Sequence, residues 1–186
     1  MPTWAWILIV VAAAILVLAL LASMMTARRK RAGLQDRFGP EYDRTVERTG
    51  RRRGAEAELQ ERERQRERLN IVPLQPEARD RYAESWRSVQ TRFVDDPSGA
   101  VGDADRLVTD VMRDRGYPID DFDRRAADVS VDHPDVVENF RAGHEIYLRS
   151  DRGEAGTEDL RQAFVHYRAL FEELLETREP SAQEAR

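Results

Sequence analysis

The chain has 186 residues, with 30 Lys+Arg, 35 Asp+Glu, three His and no Cys, for a formal net charge of −5. The missing cysteine excludes a disulfide scaffold, a Cys-ligated zinc or iron–sulfur site and a Cys nucleophile. The length admits one ordinary domain with additions, or two very small ones.

Residues 4–25, WAWILIVVAAAILVLALLASMM, are 22 uncharged, mostly apolar residues. As a helix rising about 1.5 Å per residue they span roughly 33 Å, enough for a hydrocarbon core of about 30 Å. The expectation is a transmembrane anchor over residues 1–27. A cleaved signal peptide fits less well. Met1-Pro2-Thr3 carries no basic side chain, the apolar run is too long, and Ala22-Ser23-Met24 is a poor cleavage site. Arg28, Arg29, Lys30 and Arg31 follow the run directly. The positive-inside rule then places the N-terminus outside and the C-terminal domain in the cytoplasm. Trp4 and Trp6 would sit at the outer interface, and the basic flank would meet anionic lipid at about 1 kcal/mol per residue.

Charge is divided along the chain. Residues 28–72 carry 14 Lys+Arg and 9 Asp+Glu, whereas residues 73–186 carry 16 Arg and 26 Asp+Glu. The first part is a basic connector and the second an acidic domain, which disfavours nucleic-acid binding by the latter. All basic residues but Lys30 are Arg. That skew reads as GC-rich coding bias, so an Arg here is weaker evidence than usual for bidentate recognition.

Within the connector, Leu34, Phe38, Tyr42 and Val46 recur every four residues, a helical stripe interrupted at Gly39-Pro40. A second helix is expected from Pro40 and a break at GRRRG, residues 50–54. The next segment, AEAELQERERQRERLN, pairs Glu58 with Arg62 at i,i+4, and has only Leu59 and Leu69 as large apolar residues. It lacks heptad positions, so a solvated spacer helix is expected rather than a coiled coil.

From residue 73 the pattern changes. Ala78, Tyr82, Trp86, Val89 and Phe93 lie on one helical face, with Pro76 in its first turn. Asp96-Pro97 reads as N-cap and first residue of a helix carrying Val101, Leu107, Val108, Val111 and Met112, which Gly116 ends. A short helix over residues 120–128 and another starting at Asp132-His133-Pro134 follow. Thr157 is placed to cap the last helix, whose stripe includes Leu160, Phe164, Tyr167, Leu170, Phe171 and Leu174. The predicted fold is all-α: a transmembrane helix, a charged helical connector, a compact four-helix-bundle-like domain over residues 73–177 and a frayed tail over 178–186.

No catalytic constellation emerges. DDPSGAVGDADR lacks the ligand order and central Gly of a calcium loop. His133, His144 and His166 form neither an HExxH nor a duplicated Glu-x-x-His pattern. His144 falls on the apolar side of its helix and reads as a hydrogen-bonded core histidine; His166 is expected to face solvent. GxSxG, GxGxxG and GxxxxGK[ST] are all missing.

The stretch SVQTRFVDDPSGAVGDADRLVTDVMRDRGYPIDDFDRRAADVSVDHPDVVENFR, continued by TEDLRQAFVHYRALFEELLE, resembles a family of uncharacterised bacterial membrane-anchored proteins from GC-rich genomes. RFVDDP and RGYP are its recognition marks, and the resemblance covers about residues 70–177 plus the N-terminal span. It implies an anchored helical domain at a bacterial plasma membrane, and it carries no activity, ligand or catalytic residue.

The expected function is that of a single-pass, membrane-anchored, non-enzymatic adaptor or scaffold with a protein partner. No cofactor, metal, nucleic acid or small-molecule substrate is called for. Arg92, Asp95 and Asp96, with Tyr117, Asp120 and Asp121, are the candidate partner surface. The alternative is an extracytoplasmic envelope-stress or sensor domain, with reversed topology or a cleaved span; an enzyme built on the Asp/His set is a third reading.

Overall fold

The computed structural model describes residues 3–175, without the side chains of 3–14, 19, 20 and 27. The expected tail over 178–186 and the side chains of Trp4 and Trp6 lie outside the described residues. Among the described residues the fold is all-helical, with eight helices and no strand. None of those helices, over its described residues, is long and apolar enough to cross a membrane. The apolar segment 4–25 belongs to a longer helix, α1 (Thr3–Phe38), and most of its side chains lie outside the described residues.

Helix α1 turns at Gly39, whose φ of 46° suits a residue without a Cβ. Helix α2 (Pro40–Thr49) then folds back along α1. Gly50, at φ 64°, ends α2 in a left-handed C-cap, its N–H donating to the Val46 carbonyl at 3.0 Å. Helix α3 (Arg52–Glu67) reverses again. The pairs Arg31–Glu56 at 2.9 Å and Arg37–Glu63 at 3.4 Å advance together along both helices, so α3 runs parallel to the end of α1. These three pieces form a head. Leu34, Phe38, Tyr42 and Leu59 are buried in it, together with Val131 from a later helix.

The head corrects the expectation of a solvated spacer. Ala55 and Leu59 are 0% exposed. One or two apolar residues per helix make no face alone, but three helices and a neighbour pool them into a small core.

Residues 68–75 cross to the bundle. The Val72 N–H donates to the Arg115 carbonyl at 2.9 Å, and Leu74 is buried. Helix α4 (Pro76–Arg92) lays Trp86 against Phe164 and Phe171, with ring centroids 4.9 and 4.6 Å apart. Helix α5 (Pro97–Arg115) starts at Asp96, whose carboxylate accepts from the Gly99 N–H at 2.9 Å. It ends at Gly116, φ 96°, where a Cβ would come 2.5 Å from the Asn70 carbonyl oxygen. Both the backbone angle and this close approach require glycine there.

Helix α6 (Phe122–Asp132) is capped by Asp121, which accepts from the Arg124 N–H at 2.9 Å. It continues through Asp132, so Asp132-His133-Pro134 ends a helix rather than starting one. The His133 N–H still reaches the Val129 carbonyl at 2.8 Å, but Pro134 has no N–H with which to continue. Helix α7 (Val137–Asp151) begins one turn later. Helix α8 (Thr157–Leu175) is capped by Asp159 reaching back to the Gly156 N–H at 3.0 Å, instead of by Thr157.

Helix α5 packs against α4, α7 and α8, and α7 packs closely on α8. The closeness comes from Gly143, where a Cβ would be 3.2 Å from the Tyr167 ring. These four helices enclose the main core, and α6 bridges it to the head.

Candidate functional site

The site with the most unusual chemistry lies where head meets bundle. Glu41, on the first turn of α2, is 1% exposed. Its Oε1 accepts from Arg62 Nη1 at 2.6 Å and Arg141 Nη2 at 2.8 Å, and its Oε2 accepts from Arg141 Nη1 at 2.7 Å. Arg62 comes from α3 and Arg141 from α7, so one carboxylate ties three helices together. Arg141 grips it as a fork, a geometry that lysine cannot reproduce. Arg62 also donates to Glu58 at 2.7 Å and to the Ser130 hydroxyl at 3.0 Å. Outside this centre Arg44 pairs with Glu138, and Arg48 with Glu58. Beside the network is a cleft of about 390 Å³, reaching Phe122 and Asp123 of α6.

Burial is the largest influence on the Glu41 carboxyl and pushes it up; the Arg141 and Arg62 hydrogen bonds outweigh it and hold the group below the usual carboxylate range. Glu41 is therefore a fixed anion with both oxygens occupied. Its role in this arrangement is to clamp three helices.

A second network lies inside the bundle. The Tyr167 hydroxyl donates to Asp105 Oδ1 at 2.8 Å, His144 Nδ1 lies 3.4 Å from the same oxygen, and the His144 ring stacks on Phe122 with centroids 3.7 Å apart. Burial pushes Asp105 up, but hydrogen bonds from His144 and Tyr167 hold it below its ordinary value. Burial, followed by the nearby Asp105 charge, drives the Tyr167 phenol far above its ordinary value, so it stays a donor. His144 thus packs as a hydrogen-bonded core histidine. His166, expected to face solvent, is half-buried, its Nδ1 2.8 Å from Asn139 Oδ1. His133 Nδ1 meets Glu173 at 3.0 Å. Among the described residues no group of three or more His, Asp or Glu converges as a metal site.

The candidate partner surface does not come together. Arg92, Asp95 and Asp96 lie at the start of α5, where Arg92 pairs with Asp96 at 2.8 Å. Tyr117, Asp120 and Asp121 lie past its other end, roughly 28 Å away at 1.5 Å per residue. Tyr117 is also buried, its hydroxyl donating to Asp132 at 2.8 Å, so it presents no surface. Asp121 is occupied as a cap, and Asp120 lies 3.9 Å from Arg124. Of the basic flank, Arg28, Arg29 and Lys30 are exposed, and Arg31 pairs with Glu56.

The Glu41 clamp escaped sequence reading because its partners stand 21 and 100 residues away. Glu41 itself looks like an ordinary acidic residue in a first turn. Comparison with family models, curated proteins and solved structures finds no match to this chain.

Proposed function

We propose that the protein is a single-pass membrane-anchored adaptor, without enzymatic activity, that holds a helical bundle at the membrane surface for a protein partner. One observation carries this reading. Ile15, Leu16, Val17 and Leu18 are 62%, 63%, 53% and 65% exposed. Four consecutive residues at about 100° each go all the way round a helix. Nothing among the described residues covers that apolar surface, and lipid is the solvent that suits a helix apolar on every side. The exposed Leu21, Met24 and Met25 extend it to the basic flank. That flank favours a cytoplasmic bundle.

The test pairs carbonate extraction of membranes with C-terminal reporters, one active only in the cytoplasm and one only outside. An integral chain with a cytoplasmic C-terminus is expected. Release by carbonate would reject the anchor; an external C-terminus would favour the envelope-sensor alternative.

A further inference from the structure

We infer that the turn at residues 51–53 joins the flank at residues 28–31 in one basic collar that binds anionic phospholipid headgroups. The inference rests on the anchor reading above. It comes from where the fold puts two segments that are 20 residues apart in sequence.

Helix α1 leaves the apolar run at Met25 and climbs to Phe38. The chain reverses at Gly39, and the ten residues of α2 descend roughly 15 Å. Gly50 therefore lies near the level of Arg28. The ion pairs between α1 and α3 give the same height independently. Arg31 meets Glu56 and Arg37 meets Glu63, so Arg52 stands about where the apolar run of α1 ends. The hairpin thus returns Arg51, Arg52 and Arg53 to the height where apolar side chains give way to charge. Seven cations then share one level.

Arg28, Arg29, Lys30, Arg51, Arg52 and Arg53 are exposed, and none makes an ion pair among the described residues. Clustering sets them apart: Arg68 and Arg81 are also exposed with no ion pair among the described residues, but they lie apart from one another in the sequence. In the bundle, exposed arginines such as Arg87, Arg106, Arg113 and Arg161 pair with a carboxylate three residues earlier. Cations left unpaired at one level, beside an apolar helix, match a surface of phosphate headgroups. A nucleic acid would have to enter between the head and the bilayer, against the acidic bundle, so lipid is the favoured partner.

The full chain, purified in a mild non-ionic detergent, is mixed with phosphatidylglycerol or phosphatidylcholine, and retained lipid is counted by native mass spectrometry. Wild type is expected to retain phosphatidylglycerol preferentially. R51Q/R52Q/R53Q should lose about tenfold or more of that preference, with its helical circular dichroism intact. R51K/R52K/R53K should keep it, as should R87Q/R106Q/R113Q, which removes the same charge from the bundle.

Undiminished phosphatidylglycerol retention by the glutamine turn variant would overturn the collar. So would loss in the lysine variant, or equal loss in the bundle variant. Displacement of the lipid by inorganic phosphate at equal concentration would reassign the site to free phosphate, and displacement by a short DNA duplex would reassign it to nucleic acid. Carbonate extraction, run in parallel, keeps failure of the anchor distinct from failure of the collar.

Discussion

The bundle and the head bury their interiors by different means. In the bundle, aromatic rings pack among many aliphatic side chains: Trp86 is stacked on Phe164 and Phe171, Phe140 meets Phe122, and Tyr167 presses on Gly143. The head has five buried apolar residues in its cluster, one of them lent by α6, and it adds a carboxylate gripped by two arginines. A hairpin this charged cannot exclude enough water to fix its own place. Directional ion pairs then set its register against the bundle, while burial supplies only part of the holding free energy. The two regions should accordingly fail under different insults.

The largest effect is expected from Trp86→Ala. Loss of a stacked, buried indole should cost about 3–5 kcal/mol and lower the unfolding midpoint of the whole bundle, read by circular dichroism in denaturant. A midpoint within experimental error of wild type would show that the aromatic stack is dispensable.

Glu41→Ala should cost about 3 kcal/mol, because Arg62 and Arg141 lose the buried carboxylate they share and keep only the more exposed Glu58 and Glu138. The damage should be local. Amide exchange should rise over α2 and α3 while α5 and α8 stay protected. Equal loss of protection in both regions would make head and bundle one cooperative unit.

Acid provides a reagent-free version of the same contrast. The folded Glu41 carboxyl lies below its unfolded value of about 4.3. Its stabilisation is therefore complete above that value and lost as pH falls through the depressed folded one. Exchange in α2 and α3 should rise in that window. Asp105, also depressed, adds the same sign within the bundle, where the apolar core delays the response.

The smallest effect sharpens the comparison from the opposite side. Asp128 of α6 is buried at the bridge, its Oδ2 has no hydrogen-bond partner among the described residues, and burial raises its carboxyl above the ordinary range. A raised carboxyl contributes stability below its unfolded value and loses it as pH rises through the folded one. Asp128→Asn should therefore stabilise the protein by about 1 kcal/mol at neutral pH, a gain that fades in acid. Destabilisation at neutral pH would mean that the Asp128 charge serves Arg62, Arg66 or Arg124.

Much of the helical order was legible because the ends are local chemistry. Pro40, Gly50, Asp96-Pro97 and Gly116 act on their own backbone within a few residues, and each stands where its type requires. The aromatic stripe of α8 was legible because one helix carries it whole. The head core was not, since Leu59 finds its apolar company on other helices. Asp132 misled for a related reason: a residue type that caps one helix also suits the last turn of another, and only Pro134 decides between them. Tyr117 looked like a turn residue on the surface, but its ring and hydroxyl are spent on the core and on Asp132.

Helix α1 runs from Thr3 to Phe38 without a break, and its last turns are built into the head. A domain on a loose tether would sample many positions about its attachment; under the anchor proposed above, this one would be mounted on a stiff mast. The helix is roughly 54 Å long at 1.5 Å per residue, and a tilt of about 20° carries its far end roughly 18 Å sideways. Under that proposal, a change of bilayer thickness taken up as helix tilt would move the bundle and change which neighbours it can reach.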